Sequence, residues 1–279
     1  MEIPIQSAIA KAAGFPTEPV AIIWTDTKPQ GALEFKPGVW GCVMWMYARA
    51  AHDGKTAVFT RETIGCIGAA LGLGFGRPFE RHAAKTEEGF CSFLSNGIAG
   101  AEDQKAYTAI AEGGRDARNK KVLSRGERLM KDPSVVRTFL KALPEYDIKE
   151  KYIVMKPLSQ VRDDEQVKSV IFLADADQIS ALSILANYET GTIKERVTIA
   201  AGASGCQALG TCTYAEGESS RPRAVIGLTD ITARRNVRKQ LGKDKLTFSV
   251  SYSMFLEMEK NVPGSFLESD DWKELIATD

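Results

Sequence analysis

The chain has 279 residues, enough to bury a substantial core as one large domain or two ordinary ones. Its 36 Lys and Arg balance 36 Asp and Glu, and 44% of it is hydrophobic, so it reads as a globular protein and not as a nucleic-acid binder with a basic excess. Met1-Glu2-Ile3-Pro4 has neither a basic n-region nor a long apolar h-region. The most apolar stretch, 39–51, is interrupted by Arg49 and is shorter than the roughly 20 residues of a membrane span. A cytoplasmic protein is expected, with no membrane or nucleic-acid partner, and there cysteines stay reduced or bind metal.

In chain order, 19–24 (Pro-Val-Ala-Ile-Ile-Trp) reads as a buried strand ended by Thr25-Asp26-Thr27. Residues 39–51 read as a helix closed by His52-Asp53-Gly54, with Val39, Cys42, Val43 and Met46 on one face, which would turn Cys42 inward. A strand at 56–60 and a small-residue helix at 64–73 follow. Residues 76–131 are less regular. Between Arg115 and Lys131 seven basic side chains face two acidic ones, the composition of a solvated or mobile excursion. Asp132-Pro133 then opens a helix, Asp as N-cap and Pro at the first helical position, with Val136, Phe139, Leu140 and Leu143 as its packing face. Strands are expected at 152–155, 170–173, 223–228 and 246–252, and helices at 177–188, 231–241 and 254–262. Strands and helices interleave without a strict βαβ rhythm, which indicates an α+β fold of mixed sheets. The charge pattern divides the chain into an N-terminal half, 1–114, the basic excursion, 115–131, and a C-terminal half, 132–279.

A faint internal echo runs through it. Ile22-Ile23-Trp24-Thr25-Asp26, with Gln30 and Leu33, resembles Val170-Ile171-Phe172-Leu173-Ala174-Asp175, with Gln178 and Leu182. Gly65-Cys66 before Ala70-Leu71-Gly72 resembles Gly205-Cys206 before Ala208-Leu209-Gly210. Short apolar words recur by chance, and a duplication is the other reading. A duplication would make two similar halves around a central cleft and bring Cys66 and Cys206 to it.

Five cysteines are scattered with no CxxC pair among them. Three stand beside glycine: Cys42 (Gly41-Cys42), Cys66 (Gly65-Cys66-Ile67-Gly68) and Cys206 (Ala203-Ser204-Gly205-Cys206). Taken singly, each reads as a small buried hydrophobe. Together they point to metal, because glycine lets backbone approach a bulky inorganic group and its N–H groups can serve the sulfurs of a cluster. Structural zinc recruits C-x₂₋₄-C pairs, and His52 and His82 fall at helix ends or in loops. Dispersed thiolates suit an iron–sulfur cluster better. A [4Fe-4S]-type cluster on Cys42, Cys66 and Cys206, with Gly41, Gly65, Gly68 and Gly205 around it, would leave one iron open to a small substrate. Cys91 or Cys212 as a fourth ligand would close it and suit electron transfer. Cys212 lies six positions after Cys206, about 240° round a continuous helix, so the two need a break to converge.

Gly72-Leu73-Gly74-Phe75-Gly76-Arg77 does not complete G-x-G-x-x-G and reads as a helix terminator, with Arg77, Arg81 and His82 as the anion-binding alternative. Asp163-Asp164 and Asp270-Asp271 read as exposed turns and caps, and Arg234-Arg235 with Arg238-Lys239 as a solvated helix face.

The words Pro19-Val20-Ala21-Ile22, Ala48-Arg49-Ala50-Ala51 after Cys42, Thr63-Ile64-Gly65-Cys66-Ile67-Gly68-Ala69-Ala70-Leu71-Gly72, 170–175 with Gln178, Gly205-Cys206, and Leu246-Thr247-Phe248-Ser249-Val250 before Met254-Phe255 carry a resemblance. The chain resembles the domain-of-unknown-function family 169, uncharacterised bacterial and archaeal proteins, over most of its length outside the basic excursion. The resemblance implies the architecture and the matching cysteines, Cys42, Cys66 and Cys206, but no activity; members resemble proteins of anaerobic metabolism, a setting compatible with an oxygen-sensitive cluster. The expected protein is therefore an iron–sulfur lyase- or desulfidase-like enzyme acting on a small molecule. A metal-free small-molecule binding or regulatory protein and a closed-cluster electron carrier are the alternatives, and a homo-oligomer remains open.

Overall fold

The structure, a computed structural model, describes residues 7–81, 85–114, 116–200 and 205–277. His82, Arg115, Ala203 and Ser204, named above, and the N-terminal Met1-Glu2-Ile3-Pro4 lie outside them.

Helix α1 (Ala8–Ala12), capped by the Ser7 hydroxyl, leads to β1 (Val20–Thr25). After the two-residue edge strand β2 (Leu33–Glu34) comes α2 (Val43–Asp53), then β3 (Ala57–Phe59) and α3 (Ile67–Leu73). Both helices end on a left-handed glycine, Gly54 at φ +64° and Gly74 at φ +99°, as the glycine C-cap readings anticipate. The first helix starts later than its apolar run. Residues 39–42 are not helical, Val39 is 48% exposed, and Cys42 turns inward as the N-cap and not from a helical face.

The region 76–131, expected to be less regular, is helical, and α6 lies within the 115–131 stretch expected as a solvated or mobile excursion: α4 (Glu87–Leu94), α5 (Gln104–Glu112) and α6 (Ala117–Arg125), followed by α7 (Pro133–Ala142). Thr86, Asp103, Asp116 and Asp132 each cap their helix with a side-chain oxygen, which supplies the local start signal that net charge conceals. Ile67 and Leu71 of α3 pack with Phe79, Phe90, Leu94, Val136 and Leu140 into a separate small core.

The chain then returns through β4 (Tyr152–Pro157) and β5 (Val167–Ala174). Next come α8 (Ala176–Ala186), started by an Asp175–Gln178 capping box, β6 (Val197–Ile199), α9 (Gly205–Leu209) and α10 (Thr211–Gly217). The chain ends with β7 (Ala224–Gly227), α11 (Ile231–Leu241), β8 (Leu246–Ser251), α12 (Tyr252–Lys260) and α13 (Asp270–Ala277).

All strands join one 8-stranded mixed sheet in the order β2-β3-β4-β1-β5-β8-β7-β6. Alternation along the central strands splits the core into two layers. Val20, Ile22, Ile153, Met155, Ile171 and Leu173 face α2, α3, α9 and α11. Ala21, Ile23, Val154, Val170, Phe172 and Val250 face α1, α8 and α12. The helices beyond the central strand pair thus cover both faces of an α+β fold.

The ladder is two-fold symmetric in its register. Ala21 pairs with Val170 across the antiparallel β1·β5 centre. Laying β1 on β5 through that pair carries Asp26 onto Asp175, and the hydrogen-bond registers then carry β4 onto β8 residue for residue. They likewise carry β3 onto β7 and β2 onto β6, with both edge pairs parallel. The echo between the strand words is thus a structural correspondence. The cysteine echo is in another register: Cys42 and Cys206 open the helices that follow β2 and β6, and Cys66 corresponds to Asp230, which caps α11 after β7.

Candidate metal centre

Three helix N-termini on the same face of the sheet bring the site together. Cys42 is the N-cap of α2, Cys66 the N-cap of α3, and Cys206 the second residue of α9. Cys42 and Cys206 are buried and Cys66 is partly exposed. Burial pushes the Cys42 thiol up to about 12, and charge on Cys66 adds to it. Burial also pushes Cys206 well above the ordinary thiol value, with charge on Cys42 and Cys66 contributing. The three sulfurs therefore share one neighbourhood. Backbone N–H groups are aimed at all three: those of Met44 and Trp45 at Cys42, those of Ala69 and Gly68 at Cys66, which also receives the Trp40 indole, and its own at Cys206.

Close backbone approach makes this convergence possible. A Cβ on Gly65 would stand 2.7 Å from the Val39 carbonyl oxygen, and one on Gly72 would stand 2.6 Å from the Cys206 carbonyl carbon and the Gln207 nitrogen. Either side chain would force apart segments that carry the cysteines. Gly205 lies against Met44 of α2, and a Cβ on Gly41 would enter the Phe35 ring. The glycines named from the sequence thus shape the walls, and Gly68 also serves Cys66 through its N–H.

Two acids complete the surroundings. Asp230 is 8% exposed, its Oδ1 accepting the Ala233 N–H at 2.6 Å and its Oδ2 the Gly205 N–H at 2.8 Å. Burial raises its carboxyl above the ordinary range, and its charge bears on Cys42 and Cys206. Glu127, from the loop after α6, accepts the Thr232 hydroxyl at 2.6 Å. Burial raises it too, against the Thr232 hydrogen bond, and its charge bears on Cys66. The site reading from sequence contained neither acid. The D-x-x-A start of α11 signals Asp230 only as a helix cap, and Glu127 sits in a run that reads as solvated.

Cys91 and Cys212 stand apart. Cys91 packs in the small core under α3, α4 and α7 beside Glu88 and Arg137, and Cys212 feels Glu216. The helix after Cys206 breaks at Gly210, where φ is −107° and ψ −109°, yet the break does not turn Cys212 toward the other thiols. Arg77 donates to the Leu140 carbonyl and pairs with Glu145, and the recess it lines holds about 10 Å³, about the room of one water and too little for a larger ligand. Gly74, within the Gly72–Arg77 word, terminates α3. Asp163-Asp164 and Asp270-Asp271 are exposed. Arg234 departs from the solvated-face reading, bracing the carbonyls of Leu228, Lys245 and Lys243.

Among the described residues no group of three or more His, Cys, Asp or Glu is arranged to hold a metal ion, and no helix is long and apolar enough to cross a membrane. The donor set suits a polynuclear group in its chemistry: three thiols from separate elements, with N–H donors at the sulfurs. A single ion collects its donors in one sphere of about 2.0–2.3 Å, whereas a cluster takes each thiolate on a different iron.

Fold and site together define a mixed-sheet protein of two structurally related halves with a thiol triad on one face. The sequence profile of the family DUF169, described as uncharacterised ArCR, matches residues 8–261, and the chain belongs to that family. No curated protein and no solved structure matches it significantly.

Proposed function

We propose that the protein is an iron–sulfur protein holding a [4Fe-4S]-type cluster on Cys42, Cys66 and Cys206, with one iron free of protein thiolate where a small substrate binds in lyase- or desulfidase-like chemistry. The observation that carries this reading is the meeting of three cysteines from three helix N-termini. Three thiols packed this way obstruct one another's ionisation, and shared cations reverse that penalty, because a coordinating thiol is deprotonated outright. Bound there, the cluster would supply a Lewis-acidic iron.

The chain's own residues would do the rest. N–H groups of Met44, Trp45, Gly68 and Ala69 offset charge at the sulfurs, and the Trp40 indole N–H donates to Cys66. Glu127, its Oε1 accepting the Thr232 hydroxyl, is a carboxyl whose affinity for its proton burial raises, and it is the candidate proton donor near the thiols. The metal-free reading draws on the burial of Cys42 and Cys206 within the apolar layer and on the absence of a mononuclear donor group among the described residues.

Iron and acid-labile sulfide on anaerobically purified and reconstituted protein separate the two. The expected result is about four irons and four sulfides per chain, lost in Cys42→Ser, Cys66→Ser and Cys206→Ser and kept in Cys91→Ala and Cys212→Ala. Colourless protein that stays iron-free after reconstitution overturns the proposal and returns the three thiols to the core.

A further inference from the structure

We propose that α6 and α11 together form a docking surface for an acidic protein. The inference stands apart from the iron–sulfur reading and holds with or without a cluster. Formal charge over the whole chain is +0, yet 117–131 carries six cations against Glu127 alone, and α11 carries four against no acid. Two contacts bring the helices alongside one another. Arg118 donates to the Asn236 side-chain oxygen at 3.4 Å, and Thr232 donates to Glu127, just past the end of α6, at 2.6 Å. Arg118, Lys121 and Arg125 share one face of α6, and Arg235, Arg238 and Lys239 stand on α11; all six are exposed. Among the described residues none of the six lies within salt-bridge distance of a carboxylate. Arginines on other helices do, Arg49 with Asp53 and Arg137 with Glu88. The acids of this region are already engaged: Asp116 caps α6, Glu127 accepts Thr232, and Asp230 caps α11.

Like charges three and four residues apart destabilise a helix, and on this surface both helices carry only that kind of pair. The helix dipoles favour Arg125, Arg238 and Lys239 in the last turns, but Arg118, Lys121 and Arg235 lie outside them. Carboxylates of a partner relieve the repulsion on both helices at once, and complementary charge speeds encounter and sets register. The chemistry of the surface selects a protein among polyanions. Neither helix carries an aromatic side chain on which the bases of a single-stranded nucleic acid could stack. Ile231, 71% exposed at the start of α11, is the one exposed large apolar side chain of the pair, too little for a helix face that lies in a lipid interface. Four of the six cations are Arg, which is enriched at protein–protein interfaces and takes a carboxylate with two hydrogen bonds. Ile231 adds an apolar contact beside the charges.

Three triple variants test the surface, each removing three positive charges. One combines Arg118→Gln, Lys121→Gln and Arg125→Gln on α6, and the second Arg235→Gln, Arg238→Gln and Lys239→Gln on α11. The control combines Lys11→Gln, Lys194→Gln and Lys260→Gln, exposed positions away from both helices. Gln has nearly the helix propensity of Lys and Arg, so the helices persist, and thermal unfolding checks this. The probe is fluorescently labelled poly-glutamate, followed by anisotropy at low and at physiological ionic strength. Wild type is expected to bind it, each helix variant to bind about tenfold more weakly with the gap narrowing in salt, and the control to stay within about twofold of wild type. A wild type that does not bind at low ionic strength, helix variants that bind as wild type does, or a control that loses as much as they do each overturns the inference. Tighter binding of a uridine RNA of equal length, or of phosphatidylserine vesicles, through the same six residues overturns it too, by assigning the surface to nucleic acid or to membrane.

Discussion

Glu18 shows how a single buried acid ties the sheet together. It lies just before β1, is 6% exposed, and its carboxylate accepts both the backbone N–H and, at 2.7 Å, the hydroxyl of Ser159, beyond the end of β4. Burial raises its pKa, and the two Ser159 hydrogen bonds oppose that only in part. A raised folded-state pKa means the folded protein holds this proton more tightly than the unfolded chain. That contribution is complete below the unfolded value of about 4.3 and is lost as pH rises through the folded value. Glu18→Gln removes the ionisation and keeps an acceptor. Its melting temperature relative to wild type should therefore be more favourable at pH 7 than at pH 4, and an identical difference at both pH values would refute the assignment. The same physics governs Asp230 and Glu127, whose burial beside thiols makes the unloaded site an uncomfortable place for charge.

At the scale of elements, the contact of α3 with α9 determines whether the site can exist. Gly72 is inside α3, where alanine would ordinarily favour helix by up to about 1 kcal/mol. Here the added Cβ meets backbone of Cys206 and Gln207 at 2.6 Å, and backbone cannot rotate away. Overpacking of this kind costs about 1–3 kcal/mol, so Gly72→Ala should destabilise the protein despite its better propensity. It should also lower iron uptake by displacing Cys206. Urea unfolding and iron content measure the two effects, and a stabilised variant would show that the helices have room to part. The Gly210 break serves the same contact, since a Cβ there would strike the Gly72 carbonyl.

At the scale of the whole molecule, the helical excursion is an addition to a two-fold sheet. Its ends run side by side: Phe75 bridges Asp147, the Gly76 N–H donates to the Tyr146 carbonyl at 3.1 Å, and the Ile148 N–H to the Gly74 carbonyl at 3.0 Å. The other half has no counterpart between α11 and β8, which are joined by a short turn. Replacing 78–144 with a short Gly/Ser turn should leave a cooperatively unfolding sheet protein, because the strand ladder loses no partner. It should lower the melting temperature, since Ile67 and Leu71 lose their cover, and remove Glu127 from the thiols. Loss of cooperative unfolding would mean that the excursion and the sheet are one folding unit.

Local signals in the sequence determined much of this protein by themselves. The apolar words of β1, β4, β5, β7 and β8, the glycine ends of α2 and α3, the Asp132-Pro133 start of α7 and the span of α11 need only a few neighbouring residues to be read. So do the three glycine-flanked cysteines as candidates, because glycine beside cysteine is a local word. Edge strands β2 and β6 are two and three residues long and carry no period to detect. The excursion's helices hid behind its charge, although their caps stood in plain view. Tertiary structure alone decided which cysteines meet, that Cys42 matches Cys206, and that Asp230 and Glu127 join them. The reason is physical: nearness between positions so far apart in the chain is set by hydrogen-bond register across the sheet, and a register belongs to pairs of strands, not to either strand's own residues.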